Sequence, residues 1–241
     1  KIASNTKLIY NYTKMVQTFL LCVFITSVHF YFLKPFFNSD DVFPFNVWIN
    51  FNSLLLNVMV LASQYYCLCI VTPVVLTYDV IYFSICLHVI IQLRLLKYKI
   101  SRSSNNTQNE LKIWVCHHQL LSSIFTRIQE IYSGTLLLQY LMTLGMTCIQ
   151  LYILNTGQLD VADTTELILY LATMYTEFGY YSIPVEEMSF EFLDVGNAVY
   201  ESLWYETDAR TKRSMLFVMM YAQDLKYLNG GGLIRVNIDT F

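Results

Sequence analysis

Two long apolar stretches each contain one ionisable side chain, and these are the first candidates for chemistry. Glu177 lies within the apolar stretch 167–185, and His29 lies near one end of the stretch 15–33. An acid inside a bilayer costs roughly 2.5–3.5 kcal/mol on insertion scales, so it usually has a function or a polar partner. Glu177 could have a functional role. Alternatively, its carboxylate could reach the lipid headgroups or a cavity inside the helix bundle. His29 could contact a ligand or hydrogen-bond a neighbouring helix.

The other histidines do not form a pattern typical of metal binding or catalysis. Asp79 and His88 are nine residues apart, about two and a half helical turns, so they do not share a face. The adjacent His117 and His118 point in different directions on a helix, and we expect both on a solvated face. No H-E-x-x-H, G-x-S-x-G, phosphate-loop or dinucleotide fingerprint occurs in the sequence. We therefore predict no catalytic residue, no metal site and no cofactor.

The cysteines and the glycine run do not indicate a disulfide framework or a phosphate-binding loop. Five of the six cysteines lie in or beside apolar runs and none forms a C-x-x-C pair, which favours buried free thiols over a disulfide framework. The Gly230–Gly232 run has no following G-K-[ST], so it is not a phosphate loop. We expect it to turn the chain sharply before the next helix.

Four apolar stretches are long enough to cross a bilayer, which needs about 20 residues. They cover residues 15–33, 56–80, 131–157 and 167–185, and the second continues as one long helix to about residue 99. Hydrophobic residues make up 55% of the chain and charged residues 14%, against about 25% charged in soluble domains. The sequence predicts an all-α, polytopic helical membrane protein.

The basic residues give the orientation of these four spans. Fourteen of the 15 Lys and Arg residues fall on one side of the predicted membrane, and only Lys34 falls on the other. Because basic residues concentrate on the cytoplasmic side, residues 1–14 and 186–241 are predicted to be cytoplasmic. The sequons at Asn11 and Asn105 would then stay unglycosylated. A formal charge of −3 argues against a nucleic-acid partner.

Two cytoplasmic stretches have apolar residues at helical spacing. The first covers residues 111–130 and leads into the third span, and the second covers 213–223, which is too short to cross a bilayer. Their apolar faces need a partner to pack against.

The tail, residues 195–241, resembles the C-terminal signature of insect odorant receptors. The matching positions are Ala198, Tyr200, Ser202, Trp204, Tyr205, Met219, Met220, Ala222, Gln223, Gly231, Gly232, Thr240 and Phe241. Upstream, Asp79, His88, Gln92 and Arg94 are similar to the fourth helix of that family where it enters the cytoplasm.

This resemblance implies seven spans with a cytoplasmic N-terminus and an extracellular C-terminus. The four stretches would be the third to sixth spans, and the last span is expected to begin just after Phe241. The resemblance further implies an odorant-gated cation channel subunit in the dendrite membrane of a sensory neuron. Its partners would be membrane lipid, a small volatile hydrophobic odorant and an odorant co-receptor in a heterotetramer. The short loop 94–130 favours a tuned receptor over the co-receptor.

The family's pocket lies between helices in the outer half of the bundle, which implies candidate residues here. The candidate odorant contacts are Phe24, Val28, His29, Phe32, Tyr66, Ile70, Pro73, Tyr170 and Met174. The cytoplasmic helices would anchor the subunits around the tetramer axis. The candidate anchor residues are Trp204, Tyr205, Met219, Met220 and Gln223.

Three other classes of membrane protein stay open as alternatives. A gustatory receptor would share the topology and differ in its ligand. A transporter should show internal repeats, which are not visible in the sequence. A G-protein-coupled receptor would place the basic residues on the opposite side of the membrane.

Overall fold

The structure, a computed structural model, describes residues 54–102, 108–157, 161–223 and 226–236, and six single helical residues between 11 and 25. Its helices are α1 (Leu54–Tyr66), a π-helical turn (Cys67–Val71), α2 (Thr72–Arg102), α3 (Gln108–Thr156), α4 (Val161–Glu201), a 3-10 turn (Trp204–Glu206) and α5 (Ala209–Ala222). Two strands follow, β1 (Leu228–Gly230) and β2 (Ile234–Val236). The predicted helical fold class is confirmed. The chain divides into two compact units, Lys1–Tyr82 and Phe83–Phe241.

The second predicted span is helical throughout residues 54–102, as expected, but its path contains the π-helical turn. Pro73 follows that turn at the second position of α2. Because proline has no backbone N–H and its ring clashes with the preceding turn, a helix needs a local adjustment at this place. The π-helical turn is the adjustment that the apolar pattern alone did not reveal.

Two helical stretches of the described chain, Leu55–Arg102 and Gln108–Thr156, are long and apolar enough to cross a membrane. The most apolar window of each is mostly exposed, unlike the core helix of a soluble protein. The predicted first span lies outside the continuous described ranges. The predicted fourth span forms the first part of α4, which continues without a break past Pro184 to Glu201.

The first half of α3 contains the predicted amphipathic segment 111–130. Its buried residues recur every three or four positions: Leu111, Trp114, His118, Leu121, Phe125, Ile128 and Tyr132. This stripe packs in a core made with the second half of α2, the second half of α4 and α5. Fully buried core residues from those helices include Leu93, Leu96, Ile100, Met188, Phe192, Val199 and Met215.

The tail helix begins four residues earlier than its apolar pattern predicts. Asp208 is the N-cap, and its carboxylate accepts hydrogen bonds from the backbone N–H groups of Arg210 and Thr211. Such a cap satisfies two of the four N–H groups that have no partner inside a helix. On α4, a Cβ added at Gly196 would lie 3.1 Å from Ala222 Cβ, so these two small residues let α5 approach α4 closely.

The glycine run turns the chain sharply, as predicted, but the turn joins two strands. Leu228 pairs with Val236, and Gly230 pairs with Ile234, in antiparallel register. Both Gly231 (φ +60°) and Gly232 (φ +73°) adopt the left-handed region that glycine tolerates. Three-residue strands are too short to show an alternating pattern, so their sequence did not predict them.

Side chains of α3 hold this hairpin in place. Gln129 Nε2 donates to Asn229 O at 2.6 Å, and Asn229 N donates to Gln129 Oε1 at 2.7 Å. Ser133 Oγ donates to the same carbonyl at 2.8 Å and accepts from Gly231 N at 2.8 Å. The strands therefore depend on a helix almost one hundred residues away in sequence.

We predicted buried free thiols, but most of the six cysteines are not buried. Cys86 is buried, whereas Cys22, Cys67, Cys69, Cys116 and Cys148 are exposed. The prediction of buried thiols is wrong for these five because their helix faces are not covered by other parts of the described chain.

Candidate functional site

The predicted odorant contacts fall in different parts of the chain. Tyr66 and Ile70 are 57% and 49% exposed, and Pro73 is exposed beside the π-helical turn. Tyr170 and Met174 are half-buried on α4. The remaining four candidates, Phe24, Val28, His29 and Phe32, lie outside the described residues. The odorant pocket therefore stays a prediction.

Two aromatic side chains of α4 that follow Glu177 in sequence pack against rings of α2 and α3. Glu177 is half-buried and precedes the buried Phe178. The ring of Phe178 lies 6.0 Å from that of Tyr140 on α3, and Tyr180 stacks on Phe83 of α2 with ring centroids 4.6 Å apart. These pairs join the three long helices at the level of the predicted fourth span.

Further along α2 and α4, five charged side chains form a cluster, the α2–α4 ion-pair cluster. Arg94 contacts Glu187 and, at 2.5 Å, Glu191. Lys97 Nζ lies 2.5 Å from Glu191 Oε2 and 3.0 Å from Asp194 Oδ2. Arg94 and Lys97 are three residues apart, and the acids follow at i, i+4 and i+7, so each set shares one helix face.

Glu191 is the centre of this cluster because it contacts both cations. Its side chain is 8% exposed, whereas Glu187 and Asp194 are about half exposed. The hydrogen bond from Lys97 lowers the pKa of Asp194, which keeps that carboxylate ionised. These three acids were not among the predicted functional residues. Their i, i+4, i+7 spacing opposite Arg94 and Lys97 is the signal that could have found them.

The predicted anchor residues divide into inward-facing and outward-facing sets. Met219 is buried in the chain's own core, and Trp204 is half-buried beside Tyr205. Tyr205 (56%) and Met220 (66%) are exposed, and Gln223, which caps the C-terminus of α5, is exposed too. The exposed residues are available for contact with another subunit, and the anchor role itself stays a prediction.

The position of His118 in the structure differs from the one that we predicted. We expected a solvated helix face, but His118 is 6% exposed and packs edge-on against Phe192 and Tyr221, with centroids 5.6 and 6.0 Å away. Adjacent helical positions differ by about 100°, so His117 is half-buried while His118 faces the core. The buried position becomes visible only once α4 and α5 cover this face of α3.

The environment of His118 keeps its ring neutral. Burial, the nearby charge of Lys226 and that of His117 lower the pKa of His118 to about 4. Lys226 itself donates to Ser122 Oγ and lies over the Phe192 ring, 4.8 Å from its centroid. Across the described ranges, no three His, Cys, Asp or Glu side chains form a group able to hold a metal ion.

Comparison with known proteins gives a consistent result. A family model described as the 7tm odorant receptor matches residues 2–241. Odorant receptor 30a of Drosophila melanogaster is 24% identical over 218 residues, which cover 85% of this chain and 56% of that receptor. Odorant receptor 22a of the same species is 26% identical over 153 residues, covering 62% of this chain and 37% of that receptor.

Solved structures match along almost the whole chain. Two structures of the insect olfactory receptor OR5 from Machilis hrabei, one of them in complex with eugenol, superimpose with a TM-score of 0.81 each. Sequence identity is 13% and 14%, and the match covers 98% of this chain and 65% of that chain. The chain thus spans about two thirds of that receptor and about half of the first matched fly receptor.

Proposed function

The chain belongs to the 7tm odorant receptor family, and from that membership we propose that it is a subunit of an odorant-gated cation channel. The family match over residues 2–241 is the observation that supports this most strongly. It agrees with the helical membrane-protein fold, whose backbone follows that of an olfactory receptor at a TM-score of 0.81. The partners and the gating step are proposals of ours for the whole protein.

The ligand that we propose is a small volatile hydrophobic odorant. One solved structure of the matched olfactory receptor contains eugenol, which supports this class of ligand. On α4, the predicted contacts Tyr170 and Met174 would contribute to the pocket. An apolar, aromatic site binds such molecules because apolar burial contributes roughly 25 cal/mol per Å² and needs few polar groups.

For the topology we propose four spans, at about 15–33, 56–80, 131–157 and 167–185, with both ends of the sequence on the cytoplasmic side. The segregation of 14 of 15 basic residues supports this orientation. The α2–α4 ion-pair cluster and the buried first half of α3 then lie on the cytoplasmic side, outside the bilayer.

For the assembly we propose a heterotetramer with an odorant co-receptor. The exposed Tyr205, Met220 and Gln223 lie at or near the two ends of α5 and would contact a neighbouring subunit. Apolar side chains such as Met220 favour burial in a subunit interface. Odorant binding would favour the open channel only by the difference in its affinity for the open and closed states.

The test is current recording from cells that express the full-length protein with and without an odorant co-receptor, challenged with a panel of volatiles. We expect current that needs both the co-receptor and a volatile and that persists when G-protein signalling is blocked. Responses to sugars or bitter compounds without the co-receptor would contradict the proposal and favour a gustatory receptor.

A paired substitution makes the ligand site testable in the same recordings. Met174→Trp should raise the odorant concentration for half-maximal current at least tenfold, since the larger side chain occupies pocket volume. Leu169→Trp is the matched control, because Leu169 on the same helix is 62% exposed. Equal responses of the two variants would argue against Met174 as an odorant contact.

A further inference from the structure

A cavity of about 210 Å³ lies between the second half of α2, the first half of α3, the second half of α4 and α5. Its walls include Leu96 and Ile100 from α2, Trp114 from α3, and Val195 and Val199 from α4. All five side chains are apolar or aromatic and buried. The cavity lies entirely within the second compact unit and shares no residue with the predicted odorant contacts.

The described lining gives a bound molecule little to hydrogen-bond with. His118 contributes to the wall, but its Nε2 atom has less than 1 Å² of accessible surface, so a molecule in the cavity cannot reach that nitrogen. Gln119 and Tyr221 are exposed and stay in contact with water. A ligand with a hydroxyl or a charge would lose its hydration inside the cavity without gaining a partner, which disfavours its binding.

An apolar cavity of this size favours an apolar guest over water. Protein interiors contain few voids larger than a water molecule, and side chains that border a void lose dispersion contacts. Water would need about two to four polar partners to occupy the cavity. An engineered apolar cavity of about 150 Å³ stays dry and binds benzene, so the cavity here, of about 210 Å³, has room for one aromatic ring with a short alkyl substituent.

The cavity reaches the surface on one side. Gln119, Phe217 and Tyr221 contribute to its lining and are all exposed, Phe217 by 64% and Tyr221 by 58%. A small molecule can therefore reach the interior past this rim without unfolding the helices.

We propose that this cavity binds a small neutral hydrocarbon, of the size of toluene or ethylbenzene, through apolar contact alone. Such a guest restores the dispersion contacts that the walls lack and asks for no hydrogen bond from them. Because it binds the folded unit and not the unfolded chain, it stabilises the packing of α5 against the three long helices by mass action. This is a second ligand site, beyond the odorant pocket proposed above.

The test is photolabelling of the purified full-length receptor with 3-trifluoromethyl-3-phenyldiazirine, an apolar probe with one substituted ring. On illumination the diazirine loses N₂, and the resulting carbene inserts into a bond beside it, so mass spectrometry of the peptides shows where the probe was bound. We expect saturable labelling of the peptides that contain Trp114 and residues 195–199. Labelling there that rises linearly with probe concentration would overturn the proposal, since it would show no discrete site.

Competition then defines the chemistry of the ligand. Toluene and phenol have nearly the same shape and differ in a methyl and a hydroxyl group. We expect toluene to suppress the labelling of residues 195–199 at an aqueous concentration at least about fivefold lower than phenol, because the hydroxyl must be desolvated without a partner. Equal competition by the two compounds would overturn the proposal, and this comparison needs no variant to fold.

Substitutions locate the site. Val115→Trp and Val218→Trp, at half-buried lining positions, should remove the saturable labelling of residues 195–199 by filling the cavity. Phe190→Trp is the matched control and should retain it, since Phe190 on α4 is 54% exposed and does not line the cavity. Melting temperatures without ligand show whether each variant is folded.

Saturable labelling that persists in both filling variants would place the bound probe elsewhere and overturn the proposal. Because the readout is binding and not current, this failure leaves the proposed channel function untouched.

Discussion

At the scale of single residues, two glycines at the tip of the β-hairpin have positive φ angles but different surroundings. Gly231 has a φ of +60°, and a Cβ there would lie 2.4 Å from Leu137 Cδ2. Gly232 has a similar φ of +73°, but a Cβ there would meet nothing within 4 Å among the described atoms. Comparing substitutions at these two glycines therefore separates the cost of backbone strain from the cost of a steric clash.

We predict that Gly231→Ala lowers the stability of the folded protein by about 2–3 kcal/mol and Gly232→Ala by about 1 kcal/mol. Both variants force an L-residue into the left-handed region, which costs about 1–2 kcal/mol, and only the first adds a clash. Thermal unfolding of the purified full-length protein measures the difference. Equal melting temperatures would show that Leu137 moves aside without cost.

His118 gives a prediction about pH. Its pKa is about 4 in the folded state and about 6.5 in an unfolded chain, so the unfolded chain binds more protons between these values. Stability from this residue is therefore complete above about pH 6.5 and is lost as the pH falls towards 4, by roughly 3 kcal/mol, because each unit of pKa difference corresponds to about 1.4 kcal/mol.

His118→Gln should flatten the pH dependence of the melting temperature between pH 6.5 and 4. The measurement is a series of thermal unfolding curves across this range, with the wild-type protein as the reference. An unaltered slope in the His118 variant would mean that other groups dominate acid destabilisation.

At the scale of elements, the α2–α4 ion-pair cluster joins two helices that are about one hundred residues apart in sequence. Removing the charge of a buried, hydrogen-bonded acid leaves its cations under-compensated, whereas an exposed ion pair contributes only about 0.2–1 kcal/mol. Glu191 and Glu187 both contact Arg94, but only Glu191 is buried. Substituting each of these two acids in turn therefore compares a buried with an exposed partner of the same arginine.

We predict that Glu191→Gln destabilises the protein by about 1–3 kcal/mol and Glu187→Gln by less than about 1 kcal/mol. Melting temperatures of the two variants, measured at low and at high salt, provide the check. If Glu187→Gln proved as costly as Glu191→Gln, burial would not decide the strength of this cluster.

At the scale of the whole molecule, orientation in the membrane follows from the basic residues and can be read by glycosylation. We predict that the sequons at Asn11 and Asn105 stay unmodified in cells. Trp48→Thr completes a sequon at Asn46, on the side predicted to be extracellular, and this site should be glycosylated. The side of the membrane assigned to each of these three asparagines comes from the predicted topology. Asn46 and Asn105 lie outside the described residues.

The readout is a shift in gel mobility that a glycosidase reverses. Modification at Asn11 or Asn105 without modification at Asn46 would invert the proposed orientation. Such a result would also move the α2–α4 ion-pair cluster to the other side of the membrane.

Much of this protein could be predicted from the sequence because bilayer crossing depends on local composition. Apolar runs of sufficient length, the segregation of basic residues and the tail signature predicted the helical membrane fold and the odorant receptor family. The family and the fold class are confirmed. The spacing of apolar residues also predicted the helix at 111–130 and most of α5.

Only the tertiary structure decided the features that depend on contacts between distant segments. The burial of His118 requires α4 and α5 to cover one face of α3, and the strands at 228–236 require Gln129 and Ser133. The pairing of Arg94 and Lys97 with acids of α4 likewise joins residues far apart in the chain. A single sequence records which residues can be polar or apolar locally, but packing determines which of them meet.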